Sequence, residues 1–188
     1  MANEAGQIRE EELDAQREAL RRTALAQIRQ YGDSALRMPA RAVADFDEDL
    51  DRLVRRMKQL MVDANGVGLA ATQLGVLRRV FVFQEDRDEE PIALVNPVIV
   101  ERSDETETDD EGCLSLQGVL VPVERPAAIS IEGKDESGAD VRLELEEPAA
   151  RVVQHEVDHL DGVLIIDRTT PEARREALSV LRPRIALV

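Results

Sequence analysis

Aromatic side chains are almost missing from this sequence: three phenylalanines, one tyrosine and no tryptophan in 188 residues. Aliphatic side chains must therefore build the core. A single cysteine, Cys113, rules out a disulfide within the chain and points to a reducing compartment or to a thiol kept for chemistry. No uninterrupted apolar run approaches the roughly 18 residues of a membrane helix. The opening MANEAGQIREEEL has no apolar signal core, and its acidic residues are unlike an organelle transit peptide, so the expected address is the cytoplasm. Positive charge is also short, with Lys+Arg 24 against Asp+Glu 39 and a net charge of −15. Such a surface repels phosphates and argues against general or sequence-specific DNA binding. The local exception runs from Arg168 to Val188, with five arginines and two glutamates, and reads first as a solvated helix face.

What is present suits a globular chain: 43% hydrophobic and 34% charged residues, at a length usual for one domain. We expect one unit over residues 1–188, with 1–25 as a helical extension. Loose helical spacing of Leu13, Leu20 and Ile28 predicts a helix over residues 10–30. A stronger amphipathic pattern follows from Asp45 to Ala64, with Phe46, Leu50, Leu53, Met57, Leu60 and Met61 on one face, Asp45 as cap and Asn65-Gly66 as stop. Strands are expected at 80–83, 92–95, 98–100, 119–123, 129–131 and 141–145. Asn96-Pro97 is read as punctuation, and Asp135-Glu136-Ser137-Gly138 as a hairpin turn. Residues 101–111, with seven acidic residues and one arginine, read as a solvated loop or turn. Helical spacing returns at Val152, Val153, Val157 and Leu160 until Gly162. A last helix starts at Thr170-Pro171-Glu172 and ends near Pro183. Helices framing short hairpin strands, without a repeated strand–helix unit, predict an α+β fold.

The chemistry concentrates in Gln154-His155-Glu156-Val157-Asp158-His159. Histidines four apart share one helix face, so both imidazoles can reach one metal ion with Glu156 beside it. These are the only histidines in the chain. A metal hydrolase needs such a glutamate to take a proton from the attacking water and pass it to a leaving amine. A catalytic metal usually has three protein ligands, and two histidines leave one to find. Glu172 and Glu176 qualify by position, whereas Cys113 qualifies chemically, because a thiolate binds a borderline-soft divalent metal well.

Cys113 sits in Glu111-Gly112-Cys113-Leu114-Ser115-Leu116, and upstream lies Gly66-Val67-Gly68-Leu69-Ala70-Ala71-Thr72-Gln73. Together with QHEVDH, these segments resemble, in order, the three signature motifs of the peptide deformylases. The likeness covers roughly residues 28–180, including Leu94-Val95-Asn96-Pro97. It implies that Cys113, His155 and His159 hold the metal, with ferrous iron as the physiological ion and zinc, nickel or cobalt as replacements. Glu156 would serve as base and then acid. The Gln73 side chain and the Leu114 backbone N–H would stabilise the oxyanion. A formyl-methionyl nascent chain would lie extended between Gly66–Gly68 and the segment after Cys113, with Val67 lining the methionine pocket.

The resemblance is incomplete at Gln117, where the family commonly has proline, and near Leu120, where it often has arginine. Both lie beside the expected substrate strand. At the basic C-terminal helix, Arg174 and Arg175 are candidate contacts to ribosomal phosphates. Two other readings compete: a zincin-like endopeptidase, which needs a downstream ligand, and an acidic binding module stapled by a metal, which usually needs four protein ligands.

Overall fold

The computed structural model describes residues 2–86 and 88–181, with side chains from Asp14 onward. Five strands form one antiparallel sheet in the order β1-β2-β3-β6-β7: β1 (Gly68–Ala70), β2 (Val80–Phe83), β3 (Ile92–Arg102), β6 (Ala128–Lys134) and β7 (Asp140–Glu146). A separate hairpin pairs β4 (Thr106–Gly112) with β5 (Leu120–Pro126). The helices are α1 (Ala2–Leu25), α2 (Glu48–Asp63), α3 (Ala149–Leu160), the short α4 (Ile165–Arg168) and α5 (Pro171–Leu181). The fold is α+β, as the sequence pattern predicts.

β2 shows why. Successive strand residues face opposite sides of a sheet. Val80 and Val82 join Leu50, Val54, Met57 and Met61 of α2, while Phe81 and Phe83 join Val153, Val157 and Leu160 of α3. All four β2 side chains are fully buried, so the strand lies between two helices and reads as a continuous apolar run. Two of the three phenylalanines therefore sit together under α3, their centroids 5.8 Å apart, and aliphatic residues supply nearly all the remaining core. A third cluster joins Leu116, Val121 and Val123 around β5 to Leu164, Ile166 and Ala177 of the C-terminal helices.

Several local expectations hold. Asp135 Oδ1 accepts from the N–H groups of Ser137 and Ala139 in the β6–β7 turn, and Thr170 Oγ1 caps α5 through the Ala173 N–H. Gly162 ends α3 at φ 75, where a Cβ would lie 2.7 Å from the Arg37 carbonyl oxygen.

Four expectations need correction. Residues 101–111 are not a loop, because β3 runs to Arg102 and β4 starts at Thr106. The acidic side chains of β4 are exposed down to its end, where Glu111 is buried, so charge marked a solvated strand face rather than a turn. Asn96-Pro97 does not end a strand either. Asn96 adopts φ 53 and its side-chain amide exchanges two hydrogen bonds with the Val43 backbone, so β3 continues through a register shift. The cap of α2 is Asp47, whose Oδ1 accepts from the Leu50 N–H at 2.9 Å, not Asp45. Finally, α1 starts and stops earlier than predicted. Leu20 is exposed, and among the described side chains of α1 only Ala24 and Leu25, at the helix end, are buried, with Ile28 buried beyond it. The predicted end of the last helix near Pro183 and the arginines Arg182 and Arg184 lie outside the described residues.

Candidate metal centre

α3 carries both histidines, and the β4–β5 hairpin delivers the cysteine. Cys113 follows the last residue of β4, and its Sγ lies 3.2 Å from His159 Nε2. One donor atom from each of Cys113, His155 and His159 falls within 4.8 Å of the other two. Zinc-type bonds of about 2.3 Å to sulfur and about 2.0 Å to nitrogen put tetrahedral S and N ligands about 3.5 Å apart, so the spacing fits one ion held between them. This is the only such group among the described residues. Glu172 instead pairs with Arg175 on the outside of α5, and neither Glu172 nor Glu176 joins the cluster.

The hairpin is fixed to α3 by a buried ion network. Glu111, in β4, accepts from Arg125 Nε and Nη2 at 2.5 and 2.9 Å and from Arg151 Nη1 at 3.1 Å. Arg125 also donates to Asp158 at 2.9 Å, and Arg168 of α4 holds the same carboxylate. Glu111, Arg125, Arg151 and Asp158 are all buried. The last tie from Glu111 reaches the site itself, because His155 Nδ1 lies 3.0 Å from Glu111 Oε2. A proton held on Nδ1 leaves Nε2 as the free lone pair, the tautomer a metal ligand requires. Burial alone would raise the Glu111 carboxyl, but the hydrogen bonds from Arg125 and His155 outweigh it and hold the pKa at about 2.

Sequence reasoning gave Glu111, Arg125, Asp158 and Arg151 no part in the site. The available signal was chemical: a ligating histidine almost always gives its second N–H to an acceptor, and a carboxylate two residues before the cysteine ligand is the natural candidate.

Glu156 is buried beside this cluster, and its Oε2 has no hydrogen-bond partner. Burial pushes its carboxyl up to about 7, against the pull of His155 and Arg125. A cation held by the three donors would draw that value down again. Gly68 packs directly on Glu156, and any Cβ there would collide with the carboxylate. His159 is also buried, and burial holds its pKa well below the usual histidine value, which suits a neutral ligand.

The Gln73 side chain is tied at both ends. Its Oε1 accepts from the Ala70 N–H at 2.8 Å, while Nε2 donates to Ser115 Oγ at 3.1 Å and lies 3.7 Å from Cys113 Sγ. The amide is thus turned toward the candidate metal ligands. The Leu114 side chain packs at Gly66, where a Cβ would lie 2.8 Å from Leu114 Cδ1.

A cleft of about 660 Å³ opens over the cluster. Gly66, Val67 and Gly68 line it together with Gln73, Leu114 and Glu156, so the three sequence motifs meet on one cavity. Gly66 and Val67 precede β1 rather than form it, and only Gly68 belongs to the strand. Gln117 and Leu120 line the same cleft, which places both departures from the family pattern beside the site.

Residues 25–175 match the family model described as polypeptide deformylase. The chain belongs to this family. It is 48% identical over 159 residues to a peptide deformylase of Acidothermus cellulolyticus, covering 85% of this chain and 87% of the relative. Among solved structures, the Thermotoga maritima peptide deformylase matches with a TM-score of 0.73 and 47% identity, over 77% of this chain and 97% of that one. A peptide deformylase from Synechococcus elongatus, solved in complex with actinonin, gives a TM-score of 0.78 and 40% identity over 81% and 85% of the two chains. Deformylases remove N-terminal formyl groups in a metal-dependent reaction, and this chain is such an enzyme. The zincin and metal-staple readings lose their support. No helix among the described residues is long and apolar enough to cross a membrane.

Proposed function

We propose that this deformylase acts in the cytoplasm on formyl-methionyl nascent chains, through one ferrous ion held by Cys113, His155 and His159. Residues 1–188 would form one catalytic domain, with 1–25 as its helical extension. The observation that carries the reading is a buried, unpartnered Glu156 carboxylate oxygen beside three converging metal donors, on a cleft that Cys113 and His155 also line. Zinc, nickel or cobalt would satisfy the same donor set, since a thiolate with two imidazoles accepts several divalent ions. Bound there, the ion would act as a Lewis acid toward water and the formyl oxygen.

The residues then divide the work. Glu156 takes a proton from the attacking water through its free oxygen and returns it to the leaving α-amine. Gln73, fixed by Ala70 and Ser115, holds its amide N–H in place for the oxyanion, and the Leu114 backbone N–H supplies the second donor. Preset donors need no reorganisation as charge develops. The peptide runs extended along Gly66, Val67 and Gly68, where the absence of side chains on the two glycines lets its backbone approach, and Val67 lines the methionine pocket.

Iron-loaded protein kept free of oxygen should release formate from a formyl-methionyl peptide and leave the acetylated peptide largely intact, because the extra methyl crowds a site shaped for hydrogen. Formate assay and mass spectrometry check both. No formate release would defeat the reading.

Ribosome contact through α5 is a separate proposal. Arg174 pairs with Asp167 and Arg175 with Glu172, so both guanidiniums would have to exchange a carboxylate for a phosphate. Exposed pairs of this kind hold weakly, which permits the exchange. Reversing both charges should lower affinity in ribosome cosedimentation without changing turnover on a short peptide. Equal cosedimentation would leave a solvated helix face.

A further inference from the structure

The family match begins at residue 25, yet the substrate cleft does not stop there. Arg21 and Leu25, one turn apart on the last part of α1, also line it. Leu25 and Ala24 are buried against the α2 side of the core, which pins the end of the helix and with it the position of Arg21. The preceding turn is not pinned in this way, because Leu20 is exposed.

Charge around the cleft makes Arg21 distinct. The other lining arginine, Arg151, is committed to Glu111, Glu147 and the carbonyls of Val123 and Glu107. Asp110 adds negative charge, while Gln117 and Leu120 carry none. Among the described residues Arg21 pairs only with Glu18 of its own helix, at 3.5 Å, with about half of each side chain exposed. Such a pair is weak enough to be displaced by a better-placed carboxylate. The molecule as a whole carries −15, so its general field disfavours acidic peptides, and any preference for them must come from a local cation.

We propose that Arg21 is a specificity-determining residue, which favours substrates with an aspartate or glutamate two or three residues beyond the formyl-methionine. The inference rests on the deformylase reading. The reacting end of the substrate is fixed at Glu156 and the metal ligands. A chain extending along Gly66 toward the mouth of the cleft then brings its later side chains past α1.

The test compares kcat/KM for formyl-Met-Ala-Asp-Ala amide and formyl-Met-Ala-Lys-Ala amide, and for the pair with the charge one residue later. Each value is normalised to formyl-Met-Ala amide with the same enzyme. Relative to wild type, Arg21→Ala should lower the acidic-to-basic ratio about two- to fivefold, the effect typical of exposed charge pairs, and the change should sit in KM. Arg21→Glu should lower it further, Arg21→Lys should keep most of it, and added salt should shrink the differences. Arg52→Glu is the control for net charge, since Arg52 pairs with Glu48 and Asp49 on α2, does not line the cleft and should leave the ratio unchanged. Equal ratios in wild type, Arg21→Ala and Arg21→Glu at both positions would overturn the proposal, as would an equal shift from Arg52→Glu. Failure of wild type to process formyl-Met-Ala amide would instead strike the deformylase reading itself.

Discussion

Glu156→Gln is expected to lower turnover on formyl-methionyl peptides by about two to four orders of magnitude, the usual share of general acid–base catalysis, while leaving the metal in place. The amide has the shape of the carboxylate but cannot take a proton from water. Glu156 is one residue past His155, about 100° further around α3, so it reaches the attacking water without completing the ligand set. Its Oε2 has no hydrogen-bond partner, and its stem packs against Gly68 without room for another atom. An ionised carboxylate buried with an unpartnered oxygen costs stability, so glutamine should leave the thermal midpoint unchanged or raised. Turnover, metal content and the midpoint are measured on the same preparation. A variant as fast as wild type would remove Glu156 from the proton transfer, and one without metal would make it a structural part of the centre.

The candidate metal centre was largely legible in the sequence because its decisive feature is local. Two histidines on one turn of one helix fix their own geometry, and a helix from Val152 to Gly162 is readable from its period alone. The proposed third ligand is different. Cys113 reaches His159 only because the β4–β5 hairpin is held against α3, and that contact is made by Glu111, Arg125 and Asp158, which are scattered along the chain. No period or spacing encodes such a network. The acidic run at 101–111 that contains Glu111 was misleading, since six of its seven carboxylates lie on the solvent side and the seventh is buried. β3 shows the same limit at Asn96, where a tertiary partner, the Val43 backbone, lets a strand continue through a residue pair that normally ends one.

The same network sets the second large effect. Cys113→Ala should abolish stoichiometric metal binding and activity together, because two imidazoles alone leave the ion a ligand short and no fourth His, Cys, Asp or Glu among the described residues joins the group. Glu111→Gln should act by degree. Glutamine can still accept at His155 Nδ1 through its Oε1, but it no longer carries the charge that polarises the imidazole, so affinity for the metal should fall about 10- to 100-fold. It also leaves Arg125 and Arg151 with one carboxylate fewer in a buried place, a loss of about 3–5 kcal/mol where one partner of such a pair is removed. The variant should therefore unfold at a lower temperature even with metal in excess, whereas metal-saturated wild type should not. Elemental analysis after equal loading, metal titration and thermal unfolding separate the two cases. Full metal in Cys113→Ala would move the third ligand elsewhere and bring Glu172 or Glu176 back into consideration. Wild-type affinity in Glu111→Gln would mean that α3 packing alone orients His155.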